Sequence, residues 1–175
     1  MVIRHSEIKL LLPHRYPMLL VDAVLAVSPG SRITAIKNIS RNEPCFATAA
    51  GHAGDDVGAY PPSLVIESFC QSAGILQVLS QREGSPGQDQ VMLFGSMANV
   101  EFHDGAHAGD TLTHEARLET ALTDAAVFSG EVRVGERLIA TVERIVVALR
   151  PATALGRLAV DRGATTLVEG TGCRP

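Results

Sequence analysis

A carboxylate inside an apolar run asks for a chemical explanation, and this 175-residue chain has one. Glu67 follows Leu64-Val65-Ile66 and is followed closely by Phe69 and Cys70. An unpaired carboxylate is costly to bury, so Glu67 either has a partner, an Arg or a backbone amide, or serves as a general acid or base. Gln71 lies four positions on, one helical turn along the same face. It either orients Glu67 or hydrogen-bonds inside the core. His52, in Gly51-His52-Ala53-Gly54, is either a working imidazole or a loop histidine with no task. Tyr60 precedes a proline pair, and Pro62 suits the first position of a helix while offering no N–H to any ligand. His103 and His107 are four apart but on a strand-to-turn segment with no third ligand, so they are expected to face water rather than hold a metal. Cys45, Cys70 and Cys173 are odd in number and contain no CxxC, which signals neither a disulfide framework nor a zinc site. Cys70 reads as a small core residue.

The elements that must position these residues follow from periodicity. Ser6 is expected to cap a short helix over residues 7–12, which Pro13 stops. Residues 18–27 and 32–39 read as an antiparallel pair joined by the Ser28-Pro29-Gly30 turn. Residues 41–61 have no periodicity and several glycines, and are expected to form a long loop of the kind that is usually functional. Residues 63–82 are the helix that carries Glu67. They are apolar around most of the circumference, which predicts burial on nearly every side. Four strands follow, over 90–103, 111–120, 125–134 and 137–149. A single apolar helix needs a sheet wrapped around it, so the class is α+β. Residues 1–150 are expected to be one domain, and 151–175 an irregular tail.

Composition narrows the function classes. Hydrophobic residues make up 46% and charged residues 19%, which is globular. Aromatics are 4% with no Trp and the net charge is -4, which argues against nucleic-acid binding by base stacking. An acidic protein partner would need a local basic patch, for which Arg15, Arg32, Lys37 and Arg41 are the candidates. The first residues hold too short an apolar run for a signal-peptide core. The longest apolar stretch, 64–79, is interrupted by Glu67 and Gln71, so a membrane span is not expected and a reducing cytoplasm is.

Four ordered strings narrow the reading further. Leu11-Leu12-Pro13-His14-Arg15-Tyr16-Pro17-Met18-Leu19-Leu20-Val21-Asp22 closely resembles the opening of FabZ-type 3-hydroxyacyl-[acyl-carrier-protein] dehydratases. Ala35-Ile36-Lys37-Asn38-Ile39-Ser40-Arg41-Asn42-Glu43-Pro44 resembles their second strand and its exit. Leu64 to Leu76 is similar to their central helix, with the Glu-x-x-x-Gln spacing present as Glu67 and Gln71. Residues 95–112 match the next strand and turn, with Ala108 where that family has Pro. The resemblance covers roughly residues 6–149.

The resemblance implies a hotdog fold, an antiparallel sheet wrapped around one long helix, working as dimers or assemblies of dimers. It implies an active site at the dimer interface, where His52 of one subunit and Glu67 of the other dehydrate a 3-hydroxyacyl thioester on acyl carrier protein to the trans-2-enoyl product. His52 would take the α proton and Glu67 would help the hydroxyl depart. Neither a metal nor an organic cofactor is implied. Ser63, Gln71 and Gly95 would border the substrate, and Tyr60 either gates the acyl tunnel or packs at the loop end. His14 is expected to be structural. Two departures matter. The family's Gly-His-Phe-Pro-Gly is Gly51-His52-Ala53-Gly54-Asp55 here, in a longer loop, and Pro62 stands where the family has the Gly whose N–H binds the thioester carbonyl. Losing one such donor typically costs about 10²–10³-fold in turnover, unless the Ser63 N–H substitutes. A second expectation is therefore a non-catalytic or half-active subunit of a heteromeric dehydratase. A third is a hotdog thioesterase in which Glu67 activates water.

Overall fold

Strands form where buried and exposed side chains alternate. The computed structural model describes residues 2–51, 58–81 and 90–151. A two-residue strand, β1 (Ile3–Arg4), leads into α1 (His5–Leu11), and then come β2 (Ala23–Ser28) and β3 (Arg32–Asn38). A 3-10 helix, Pro44–Gly51, precedes the long helix α2 (Pro62–Ser80). The last four strands are β4 (Gln90–Phe102), β5 (Thr111–Ala121), β6 (Ala125–Val134) and β7 (Arg137–Pro151). They pair antiparallel throughout in one sheet of order β1-β2-β3-β5-β6-β7-β4. Alternation is clear in β3, where residues 33, 35 and 37 are buried, and in β5, where residues 112, 114 and 116 are. Gly30 and Gly135, both at positive φ, close the β2–β3 and β6–β7 hairpins.

The sheet wraps α2, which packs mainly on β5 and β3. Phe69, Ile75 and Leu76 are fully buried against Leu112, Ala116, Ala35 and Phe128. This is the hotdog arrangement implied by the sequence. By length and composition α2 could cross a membrane, but it is a core helix, with Val65, Ile66, Ser68, Phe69 and the run 71–77 buried inside the fold. Burial is nevertheless not complete around it. Leu64, Glu67, Cys70 and the last turn are only half-buried in the single subunit, and Pro62 and Ser63 are exposed.

Several boundaries differ from expectation for identifiable reasons. The cap of α1 is Arg4, not Ser6, which lies inside the helix. The Glu7 carboxylate reaches back to accept the Arg4 N–H at 2.9 Å, so the helix starts earlier. Strand β2 begins at Ala23 rather than 18, because the backbone of 18–20 is engaged elsewhere. The Leu20 N–H donates to Gln71 Oε1 (2.9 Å) and the Met18 carbonyl accepts from Gln71 Nε2 (2.7 Å). The stretch read as loop contains the 3-10 helix, and α2 stops at Ser80, whose hydroxyl bonds back to the Leu76 carbonyl at 2.6 Å. The expected tail lies outside the described residues beyond 151.

Candidate active site

Helix α2 places residues 67, 70, 71 and 74 on one face, at the i, i+3, i+4 and i+7 spacing. That face lines a pocket of about 150 Å³. Leu12 and His14 close it from the N-terminal segment, Met92 and Phe94 from β4, and Ile145 and Val147 from β7. Its walls are apolar apart from a cluster of three polar side chains, Glu67, Gln71 and His14. An apolar cleft with a few convergent polar groups is the usual form of a small-molecule site.

The carboxylate is tethered by one oxygen. Gln71 Nε2 donates to Glu67 Oε1 at 2.8 Å, and His14 Nε2 lies 3.4 Å from the same oxygen. Gln71 is itself buried and held at both ends by the backbone of Met18 and Leu20. Gln71 thus bonds the Glu67 carboxylate and the core backbone with the same amide. Glu67 departs from the expected full burial, since 34% of its side chain is exposed in the single subunit. His14, expected to be structural, belongs to the pocket. Cys70 also lines it rather than lying sealed in the core, and burial together with the nearby Glu67 charge pushes its thiol up to about 12. A thiol so raised is a poor nucleophile.

The other expected site residues lie away from this cluster. Tyr60 is fully buried, its ring 6.2 Å from Phe46 and its hydroxyl donating to Glu43 at 3.3 Å. Burial first, then the Glu43 charge, pushes that phenol above its ordinary range. Pro62 is at the N-terminus of α2, where Leu64 and Val65 donate to the Pro61 carbonyl at 2.9 and 3.2 Å. Gly95 sits at a bulge in β4, where an added Cβ would lie 3.0 Å from the Val146 carbonyl oxygen. None of Tyr60, Pro62, Ser63 and Gly95 lines the pocket with Glu67. His52 lies outside the described residues.

Of the basic candidates, Lys37 is overturned. It is only 7% exposed and its ammonium is engaged by Glu43 at 2.5 Å and by the Asn38 carbonyl at 2.8 Å. Strand alternation turns it inward beside Ile33 and Ala35. Arg15 remains exposed at the turn that holds His14. His103 and His107 are exposed, as expected.

Sequence reading missed two histidines. His14 lies 53 residues before Glu67, and no periodicity links them. His114 on β5 is completely buried, neither ring nitrogen has a hydrogen-bond partner among the described residues, and it meets Phe69 edge-on at 6.4 Å. Burial pushes it down to about 3. The alternation of β5 was the only signal, since it puts residue 114 on the same face as Leu112 and Ala116.

Comparison with known proteins gives a consistent picture. Residues 12–143 match the model of the FabA-like domain family. A 3-hydroxyacyl-[acyl-carrier-protein] dehydratase FabZ of Actinobacillus pleuropneumoniae is 35% identical over 138 residues, covering 79% of this chain and 86% of that protein. The FabZ dehydratase of Colwellia psychrerythraea is 36% identical, covering 83% and 93%. Among solved structures, the dehydratase heterocomplex ApeI:P of Xenorhabdus doucetiae superposes with a TM-score of 0.68 at 19% identity, covering 85% of this chain and 93% of that one. A mutant thioesterase of Pseudomonas aeruginosa gives 0.60 at 12% identity, covering 83% and 93%. At such identities these two structures speak for the fold alone.

Proposed function

We propose, starting from the fact that this chain belongs to the FabA-like domain family, that it dehydrates a 3-hydroxyacyl thioester carried on acyl carrier protein to the trans-2-enoyl thioester. The observation that supports this most is Glu67 on an apolar pocket wall, held by Oε1 and with no partner on Oε2 among the described residues. His52 removes the proton at C2, those electrons form the C2=C3 bond, and the C3–O bond breaks. Glu67 protonates the departing hydroxyl, which leaves as water. Each proton transfer is worth about 10²–10⁴-fold. Fatty acid or polyketide synthesis is the setting such a reaction serves, and the cytoplasm the compartment.

The working unit in this reading is a dimer, or an assembly of dimers, in which His52 of one subunit meets Glu67 of the other. Support comes from β4, an edge strand of 13 residues with Leu93, Phe94, Met97 and Phe102 exposed. A long apolar edge invites another strand. Arg15, exposed in the turn that holds His14, is the basic side chain nearest the site left for the carrier, and Arg32 and Arg41 are exposed elsewhere.

The purified protein, given 3-hydroxyacyl carrier proteins of graded chain length, should yield enoyl product by mass spectrometry. His52→Ala and Glu67→Gln should each lose at least about 10²-fold. No enoyl product at any chain length overturns the reading, and release of free thiol instead would point to a thioesterase. Pro62 motivates one second reading, a half-active subunit completed by another hotdog protein, because the helix start lacks the N–H that would hold the thioester oxygen. Activity that appears only on co-expression with such a partner supports it, and full turnover by the homomer excludes it.

A further inference from the structure

Building on the dehydratase reading, we propose that His14 is a positioning residue, the second donor that locks the Glu67 carboxylate in its working orientation. Its Nε2 lies 3.4 Å from Glu67 Oε1, the same oxygen that Gln71 Nε2 reaches at 2.8 Å. One hydrogen bond leaves a carboxylate free to swing about it. A second donor from a different element removes that freedom. Gln71 approaches from α2 itself and His14 from the turn after α1, so the two together fix which oxygen is held and which is left for substrate.

The tautomer follows from the other ring nitrogen. His14 Nδ1 is buried and has no hydrogen-bond partner among the described residues. A buried N–H without an acceptor is costly, and more so than a buried lone pair. The ring hydrogen therefore belongs on Nε2, the nitrogen that lies 3.4 Å from the carboxylate. The turn that presents His14 is stiff. The Arg15 guanidinium donates to the Leu12 carbonyl at 2.9 Å and to the His14 carbonyl at 2.7 Å. The N–H groups of Met18 and Leu19 both donate to the Arg15 carbonyl, at 2.8 and 3.0 Å. A loop staked at both ends around one imidazole is costly to build for a residue with no task. Gln is the natural substitute at this position, since its amide nitrogen reaches about as far as Nε2 and donates in the same way.

Two measurements test this. In the dehydration assay, His14→Ala should lower kcat about 10- to 100-fold with KM little changed, the size of effect expected for a misplaced acid. His14→Gln should recover most of the loss by restoring a donor. Unchanged kcat in His14→Ala overturns the proposal, and so does a His14→Gln variant no better than the alanine one. Independently of turnover, long-range 1H–15N spectra of labelled protein should show His14 protonated at Nε2, with that nitrogen's shift altered in Glu67→Gln. The opposite tautomer, or no response to Glu67→Gln, also overturns it. If the wild type makes no enoyl product but the spectra behave as expected, the dehydratase reading fails and the His14–Glu67 pairing stands.

Discussion

Gln71 ties the backbone of residues 18–20 and the Glu67 carboxylate together with one amide group. Its amide nitrogen bonds both Glu67 and the Met18 carbonyl, and its oxygen accepts from Leu20. Gln71→Leu keeps the volume and strands the Leu20 N–H and the Met18 carbonyl. Unmet buried groups of this kind cost about 1–3 kcal/mol. The variant should therefore shift its urea midpoint downward by an amount worth about 2 kcal/mol, and, with Glu67 as the proposed acid, its kcat should fall as that carboxylate is released. A variant with normal stability and normal kcat would show that the clamp is idle. Glu67 and Gln71 were legible in the sequence because polar residues stand out in an apolar helix. His14 was not, because it is brought to Glu67 only by the path of residues 12–20, and that path depends on Gln71.

Among the elements, the late strands were the most readable. Expected and observed limits for β5, β6 and β7 agree within two residues, since alternation and the glycine turns are local signals. The start of β2 and the 3-10 helix were not local, and both were misjudged. Gly130 on β6 is a further case. It sits at a bulge, and a Cβ there would fall 1.9 Å from the Glu115 carbonyl oxygen and 2.9 Å from Phe69 Cε2. The obstacle is neighbouring backbone, which cannot rotate away. Gly130→Ala should cost about 3 kcal/mol, the upper part of the usual overpacking range. Thermal unfolding should show it, and an unchanged Tm would mean that β5 and β6 can separate without penalty. Its place inside the strand expected over 125–134 sets Gly130 apart from the turn glycines, and a glycine there signals a bulge or a close backbone approach. Which backbone approaches, that of Glu115, is not written locally.

At the scale of the whole molecule, the helix–sheet interface encloses a histidine that has no hydrogen-bond partner among the described residues, His114. His114 is pushed down to about 3 from its ordinary 6.5 by burial alone. A folded value below the unfolded one means that the fold favours the neutral ring. The stability this carries is fully present above about 6.5 and is lost as pH falls from there toward 3, at about 1.4 kcal/mol per pH unit. His114→Leu should flatten that part of the stability–pH curve, measured by urea unfolding at pH 7, 6 and 5. Equal slopes in both proteins would mean that the acid sensitivity lies elsewhere. The fold class was legible because helix and strand patterns alternate in only one sensible order. The electrostatic weak point was not, because a histidine in an alternating strand reads the same whether it finds a partner or not.

The open edge of the sheet has a practical side. Among the described residues, a row of backbone groups along the 13 residues of β4, flanked by Phe94 and Met97, pairs with no further strand, and in the proposed dimer it is selective only while a matching subunit occupies it. Diluted below the concentration at which subunits pair, the same row can template stacking with any extended chain. Activity lost on dilution would then be followed by clumping that concentration cannot reverse, and the concentrated stock would outlast the dilute one.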